Sequence, residues 1–172
     1  MSDNQHISTS EREEPRKLKG LYKGIDVSVK SLNVVIIACV LVIHILVGIE
    51  PYKIPLLKRL AENYDVYMLS NNNPICTPRA ELMFEEAGFS MTKDFKKCYI
   101  SYQLKALKPS AECFHAIMDD IGIPAENMLF IDDSQKNVDG SIAAGLPAVY
   151  YEPGSDLAAL LAEALNDPSL NS

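Results

Sequence analysis

Apolar residues are distributed in two different ways along this chain of 172 residues. From residue 51 onward, short apolar runs alternate with segments in which apolar residues recur every three or four positions. The short runs predict buried strands, and the three-to-four spacing predicts amphipathic helices. Residues 32–49 instead form one apolar run without a formally charged side chain, and residues 1–30 are polar or basic without a clear period.

The alternating part predicts a layered α/β domain over residues 51–172. We expect strands at 66–70, 97–101, 128–131 and 147–151, and helices at 51–64, 78–88, 110–122, 134–145 and 155–166. Ser110 and Ser155 are the expected N-caps of two of these helices, and Gly122 is an expected helix end. Strands that alternate with helices indicate βαβ units, and hence a three-layer, Rossmann-like fold with a parallel sheet.

The apolar run at 32–49 favours a transmembrane helix. Its eighteen residues would span roughly 27 Å as a helix, close to the thickness of a bilayer core of about 30 Å. A secretory signal peptide fits less well, because the run starts only after thirty residues and no small-residue cleavage site follows. A buried strand remains an alternative, since the run is rich in valine and isoleucine. The expected organisation is therefore a tail at 1–30, a membrane segment at 31–50 and the α/β domain.

Charge and cysteine usage bear on location and partners. Basic residues are more frequent before the apolar run than after it, which would keep the tail in the cytoplasm. The four cysteines form no CxxC pair, and we expect reduced thiols, which favours a cytoplasmic α/β domain. The side of the membrane therefore stays open. A net charge of −7 argues against nucleic acid and leaves small molecules and cations as partners.

Polar residues follow three of the predicted strands. Ser70 and Asn71 follow the first, Lys108 follows the second through a short helix, and Asp132 and Asp133 follow the third. Ligands of parallel sheets bind beyond the carboxyl ends of the strands, so we expect these groups to converge. Adjacent carboxylates need a cation, and Mg²⁺ prefers oxygen ligands and recruits phosphate. A lysine and a hydroxyl would bind the other phosphate oxygens.

These same residues lie in segments that resemble known motifs. Residues 51–165 resemble the C-terminal two-thirds of a haloacid dehalogenase-like (HAD) hydrolase of the phosphatase branch. The stretch "VYMLSN" resembles the second motif of that family, "LKP" the third, and "LFIDDSQKNVDGSIAAGLPAVYY" the fourth. The resemblance implies Mg²⁺-dependent hydrolysis of a small phosphorylated metabolite.

The resemblance also implies a role for each site residue. Ser70, Asn71 and Lys108 would bind the phosphoryl group, with Lys108 and Asp132 as catalytic residues. Asp132 and Asp133 would hold Mg²⁺ directly or through water. Ser134 and Asn137 would fix the loop that carries the two carboxylates.

The aspartate nucleophile of the family's first motif is missing from its expected place. In the family this residue ends the first strand and takes the phosphoryl group as an acyl phosphate. Asp26, in "GIDVSVK", is preceded by a single apolar residue and fits the motif poorly. If "NVVIIACVLVIHIL" is instead a degenerate first strand, Ile37 occupies the nucleophile's position, and an isoleucine cannot attack phosphorus.

Three functional hypotheses follow from these observations. The chain is an impaired Mg²⁺-dependent phosphatase, a non-catalytic membrane-anchored module that binds phosphate and Mg²⁺, or a truncated or recombined hydrolase. The family's cap, which normally selects the substrate, is absent or reduced. A sheet without its central strand would expose edges, which we expect the apolar segment, another partner or a second copy in a homo-oligomer to cover.

Overall fold

The fold is built on one parallel sheet, as seen in a computed structural model that describes residues 34–38 and 49–171. Within these residues the sheet has five strands, in the order β3-β2-β1-β4-β5, and every neighbouring pair is parallel. The strands are β1 (Val34–Ala38), β2 (Asp65–Ser70), β3 (Lys97–Ile100), β4 (Met128–Asp132) and β5 (Ala148–Tyr150).

Helices connect the strands, and their positions confirm the predicted alternation. They are α1 (Lys53–Asn63), α2 (Thr77–Glu86), α3 (Ser101–Leu104), α4 (Ala111–Ile121), α5 (Gln135–Ala143) and α6 (Leu157–Ala164), with 3₁₀ turns at Ala125–Asn127 and Pro168–Asn171. Each predicted strand and helix from residue 51 onward agrees with the structure to within two residues, and α3 is the short helix expected between the second predicted strand and Lys108.

The predicted helix ends are confirmed at one helix and corrected at another. The Ser110 hydroxyl accepts a hydrogen bond from the Cys113 amide at 3.3 Å, and Gly122 ends α4 in the left-handed conformation. The N-cap of α6 is Asp156 rather than Ser155, because the Asp156 carboxylate accepts from two amides of the first turn. A carboxylate at this position also interacts favourably with the helix dipole.

The apolar run at 32–49 contains a strand, which corrects the expectation of a transmembrane helix there. Residues Val34–Ala38 form β1, the central strand of the sheet, and residues 39–48 lie outside the described part of the chain. Among the described residues, none of the helices has the length and apolar character that a bilayer crossing requires.

The position of β1 explains why its sequence resembles a membrane segment. Val35 belongs to the hydrophobic core on one face of the sheet, and Ile36 belongs to the core on the other face. Both side chains are fully buried, so each stabilises the fold by roughly 1.5–3 kcal/mol. A central strand of a parallel sheet is apolar on both faces and therefore lacks the alternation that identifies other strands.

The expectation of a missing central strand was wrong, and the alternative in which the apolar segment covers the exposed strand edges is confirmed. β1 pairs with β2 on one side and with β4 on the other, so no gap opens between those two strands. A homo-oligomer is therefore not needed to cover such a gap, and oligomerisation stays a prediction.

Alternating side chains divide the interior into two cores. Along β4, Leu129 and Ile131 face the core formed with α1, α2 and α6, whereas Met128 and Phe130 face the core formed with α4 and α5. The domain thus has the three predicted layers of helix, sheet and helix. Since all strands are parallel, β2 and β4 end at the same edge of the sheet, one on each side of β1.

Candidate functional site

The Lys108 side chain joins the two strands that flank β1. Its ammonium nitrogen Nζ lies 2.8 Å from Asp132 Oδ2 at the end of β4, and 3.2 Å from the Leu69 carbonyl oxygen near the end of β2. Neighbouring strands are about 4.8 Å apart, so an ammonium that reaches both β2 and β4 lies across the carboxyl end of β1. Positive charge is therefore fixed above the central strand.

Asp132 is held by hydrogen bonds on both of its carboxylate oxygens. Oδ2 accepts from Lys108, while Oδ1 accepts from the Ser134 amide at 2.8 Å and from Asn137 Nδ2 at 3.0 Å. The side chains of Asp132 and Lys108 are both fully shielded from solvent. These contacts occupy three of the roughly four acceptor positions of the carboxylate, and one of them holds the Lys108 ammonium.

Asp133 is in a different environment from its neighbour. It is half-buried, and desolvation together with the charge of Asp132 raises the pKa of its carboxyl, while Lys108 partly offsets this effect. Its ionised form is thus disfavoured in the protein alone. A cation beside Asp133 would relieve both effects, which makes this carboxylate the better candidate for a metal ligand.

Ser70 ends β2 and is 3 % exposed. It directly follows Leu69, the residue whose carbonyl oxygen accepts from Lys108. Ser70 therefore lies at the same end of β2 as the backbone contact of Lys108.

Asn71 is placed differently from the ligand role that the resemblance implies. Its side-chain amide donates to the Lys108 carbonyl oxygen at 2.9 Å and accepts from the Lys108 amide at 3.0 Å. The Lys108–Pro109 peptide bond is cis. Asn71 is exposed, but the contacts of its side chain lead to the Lys108 backbone.

The central strand brings no carboxylate to this edge. Ile37 of β1 pairs with Met68 of β2 and with Ile131 of β4, the residue directly before Asp132. The sequence contains no aspartate or glutamate from Val34 to Ile49. The strand over which Lys108 lies therefore supplies no carboxylate of its own.

The side chains at this edge of the sheet supply too few ligands for Mg²⁺ by themselves, and a bound phosphate would supply others. Among the described residues, no group of three or more His, Cys, Asp or Glu side chains could hold a metal. Asp133 supplies one carboxylate, and Mg²⁺ commonly completes its octahedron with phosphate oxygens and water. The donor set is consistent with a cation that is bound together with a phosphate.

Two residues at this edge were not anticipated from the sequence. Ser101, at the start of α3, donates its hydroxyl to the Asn72 carbonyl oxygen and accepts from the Asn72 amide. Gly140, in α5, faces Pro109, where a Cβ would lie 2.5 Å from the Pro109 carbonyl oxygen. A glycine inside a predicted helix is the one sequence signal that could have indicated such a close contact.

Gly140→Ala should lower the free energy of unfolding by about 1–3 kcal/mol, because the added methyl group would overlap the Pro109 backbone. In an exposed helix the same change would add about 1 kcal/mol of stability, so the sign of the effect is diagnostic. Denaturant unfolding measures it, with exposed Lys136→Ala in the same helix as the control. A gain in stability for Gly140→Ala would contradict the contact.

Comparison with known proteins identifies the family. The model of the haloacid dehalogenase-like hydrolase family matches residues 11–145, which is more than half of the chain. The chain belongs to the haloacid dehalogenase-like hydrolase family. The match begins well before residue 51, so the membership of this HAD chain includes β1 and is not confined to its C-terminal part.

Individual relatives agree with this assignment. The HAD chain is 32 % identical over 102 residues to a D-ribitol-5-phosphate phosphatase of Bacteroides thetaiotaomicron, covering 56 % of this chain and 48 % of that protein. A wild-type HAD family enzyme of Bacteroides thetaiotaomicron, solved in complex with magnesium and inorganic phosphate, is 36 % identical with a TM-score of 0.62, covering 66 % of this chain and 58 % of that one.

A further structure, a predicted HAD-like hydrolase of Porphyromonas gingivalis, is 25 % identical with a TM-score of 0.61, covering 70 % of this chain and 60 % of that one. The HAD chain thus spans about half the length of the curated relative that it matches, and about three-fifths of these solved structures.

Proposed function

We propose that this chain is a HAD-type phosphatase domain that binds a small phosphate monoester together with Mg²⁺, and that its hydrolytic turnover is impaired. The observation that carries the proposal is the buried Lys108 ammonium, which is held between β2 and β4 across the end of β1. A permanent cation in a site of this kind is suited to the charge of a phosphoryl group.

The surrounding groups support binding of the ester. Ser70 would donate its hydroxyl to a phosphate oxygen, next to the ammonium of Lys108. Asp133 would hold Mg²⁺, which when bound would neutralise phosphate charge and polarise the phosphoryl group. Asp132 would keep the lysine in position through its hydrogen bond at 2.8 Å. The matched phosphatase acts, by its name, on D-ribitol 5-phosphate, which favours a phosphorylated sugar or polyol as the ligand.

Hydrolysis is the step that this chain supports least. In the family the nucleophile is a carboxylate at the end of the first strand. We place Ile37 at that position, and β1 (Val34–Ala38) contains no carboxylate that could replace it. Members of a catalytic unit act together, so the loss of one is expected to cost roughly 10⁴–10⁶-fold in rate. The remaining groups bind and orient the ester, but none of them attacks phosphorus.

Thermal melting with Mg²⁺ and inorganic phosphate tests the proposed binding. We expect the melting temperature to rise when both are added, because a ligand that binds only the folded state stabilises it by mass action. Asp133→Asn should remove the part of the shift that depends on Mg²⁺, and Lys108→Met should remove the part that depends on phosphate. Glu126→Gln, a charge change in the 3₁₀ turn before β4, serves as the control. No shift of the unmodified protein at millimolar concentrations would reject the proposal.

A further inference from the structure

The end of β2 and the Lys108 loop are joined by a reciprocal pair of hydrogen bonds. Asn71 Nδ2 donates to the Lys108 carbonyl oxygen at 2.9 Å, and the Lys108 amide donates to Asn71 Oδ1 at 3.0 Å. Thirty-seven residues separate the two partners in sequence. One side chain therefore satisfies both backbone groups of the residue that carries the buried ammonium, and a loop so fixed has few alternative positions.

A second pair of hydrogen bonds holds the loop that carries Asn71. The Ser101 hydroxyl donates to the Asn72 carbonyl oxygen at 3.0 Å and accepts from the Asn72 amide at 3.1 Å. Ser101 is 3 % exposed and directly follows β3, the strand that pairs with β2. The residue next to Asn71 is thus tied to the sheet, which leaves Asn71 little freedom to move with Lys108.

We propose that Asn71 is a positioning residue, which sets the place of Lys108 through the backbone of that residue rather than by binding the phosphoryl group itself. The inference rests on the proposed function, because it concerns the group that would bind phosphate. Ser101 acts one step further away, by fixing the loop that carries Asn71. The Asn71 side chain contacts the backbone of Lys108, and the Ser101 side chain contacts the backbone of Asn72. The effect of both residues on ligand binding therefore passes through the position of the Lys108 ammonium.

Amide hydrogen exchange in the absence of ligand tests the positioning directly. In Asn71→Ala the Lys108 amide loses its acceptor, and we expect its exchange to accelerate by about tenfold or more. Ser101→Ala should give a smaller acceleration at the same amide. Asn73→Ala is the matched control, because the Asn73 side chain accepts from the amides of Ile75 and Cys76 within its own loop. An unchanged exchange rate of Lys108 in Asn71→Ala would overturn the inference.

A double-mutant cycle shows whether the effect on ligand passes through Lys108. Phosphate binding with Mg²⁺ is followed by ³¹P NMR up to high millimolar concentrations in the unmodified protein, Asn71→Ala, Lys108→Met and the double variant. We expect Asn71→Ala to weaken binding about tenfold when Lys108 is present and to cause no further loss when it is absent, since effects that share a partner are not additive.

The two possible failures give different results. An equal loss from Asn71→Ala in both backgrounds would show direct binding by Asn71 and overturn the inference. Absence of phosphate binding in the unmodified protein would reject the proposed function, while faster Lys108 exchange in Asn71→Ala would still support the positioning role.

Discussion

Replacement of Asp132 by alanine should lower the free energy of unfolding by about 3–5 kcal/mol. Asp132 and Lys108 are both fully shielded from solvent and are 2.8 Å apart, so the change would leave a buried ammonium without its anionic partner. It would also leave the Ser134 amide and the Asn137 side chain without the oxygen to which they donate. Urea denaturation followed by circular dichroism measures the effect.

The adjacent carboxylate provides the control for this prediction. The pKa of Asp133 is raised in the folded protein, first by desolvation and then by Asp132, so its ionised form lowers stability at neutral pH. Asp133→Asn should therefore raise the melting temperature in the absence of divalent cations. The gain in melting temperature should vanish as the pH falls below the pKa that Asp133 has in the unfolded chain, because its carboxyl is then protonated in both the folded and the unfolded state.

Equal stability of Asp132→Ala and the unmodified protein would contradict the buried ion pair of Asp132 and Lys108.

Replacement of both Lys108 and Asp132 distinguishes the electrostatic cost of losing the ion pair from the packing cost of removing the Asp132 side chain. Lys108→Met combined with Asp132→Leu should be far less destabilising than Asp132→Ala, since apolar side chains of similar volume need no partner. A double variant as unstable as Asp132→Ala would indicate that packing, rather than the unpaired ammonium, dominates the loss.

Ile37→Asp should create hydrolysis of p-nitrophenyl phosphate where the unmodified protein shows little. The register of β1 with β2 and β4 places this residue at the edge where Lys108 lies. A carboxylate there could attack phosphorus, and its charge would be accommodated by the ammonium and by Mg²⁺ at Asp133. Because p-nitrophenolate is a good leaving group, the reaction would not depend on an acid to protonate it. We expect a gain of at least about a hundredfold in rate, a part of what a complete catalytic unit contributes.

Ile37→Asn is the matched control for the gain of hydrolysis. Its side chain has the size and polarity of aspartate but is not a nucleophile, so both variants disturb the central strand to a similar extent. Circular dichroism and melting curves of the two variants would establish that each is folded. Equal rates for folded Ile37→Asp and Ile37→Asn would contradict the assignment of residue 37 to the nucleophile's position.

The sequence was sufficient to predict most of the fold, and the main error has a clear cause. The elements after residue 51 alternate regularly, so their spacing defined them to within two residues. β1 was interpreted as part of a membrane helix, because Val35 and Ile36 are buried on opposite faces and leave no polar alternation in the run. A central parallel strand and a membrane segment both consist of continuous apolar residues, and local pattern alone does not separate them.

The candidate site was predictable in its residue types but not in its contacts. The positions of the strand ends and the motifs predicted Ser70, Lys108, Asp132 and Asp133 as site residues. No local pattern could show that Asp132 has both oxygens occupied whereas Asp133 is half-buried beside it. The pairing of Asn71 with the Lys108 backbone depends on two segments that lie 37 residues apart. Such long-range contacts follow from the tertiary structure, as does the close approach of Gly140 to Pro109.

A crystal structure of the protein grown with Mg²⁺ and inorganic phosphate would test the central claim most directly. We expect a phosphate at the carboxyl edge of β1, within hydrogen-bond distance of the Lys108 ammonium and the Ser70 hydroxyl, and a metal ion between that phosphate and Asp133. Clear density for both ions at another place, with this edge of the sheet filled only by water, would contradict the account.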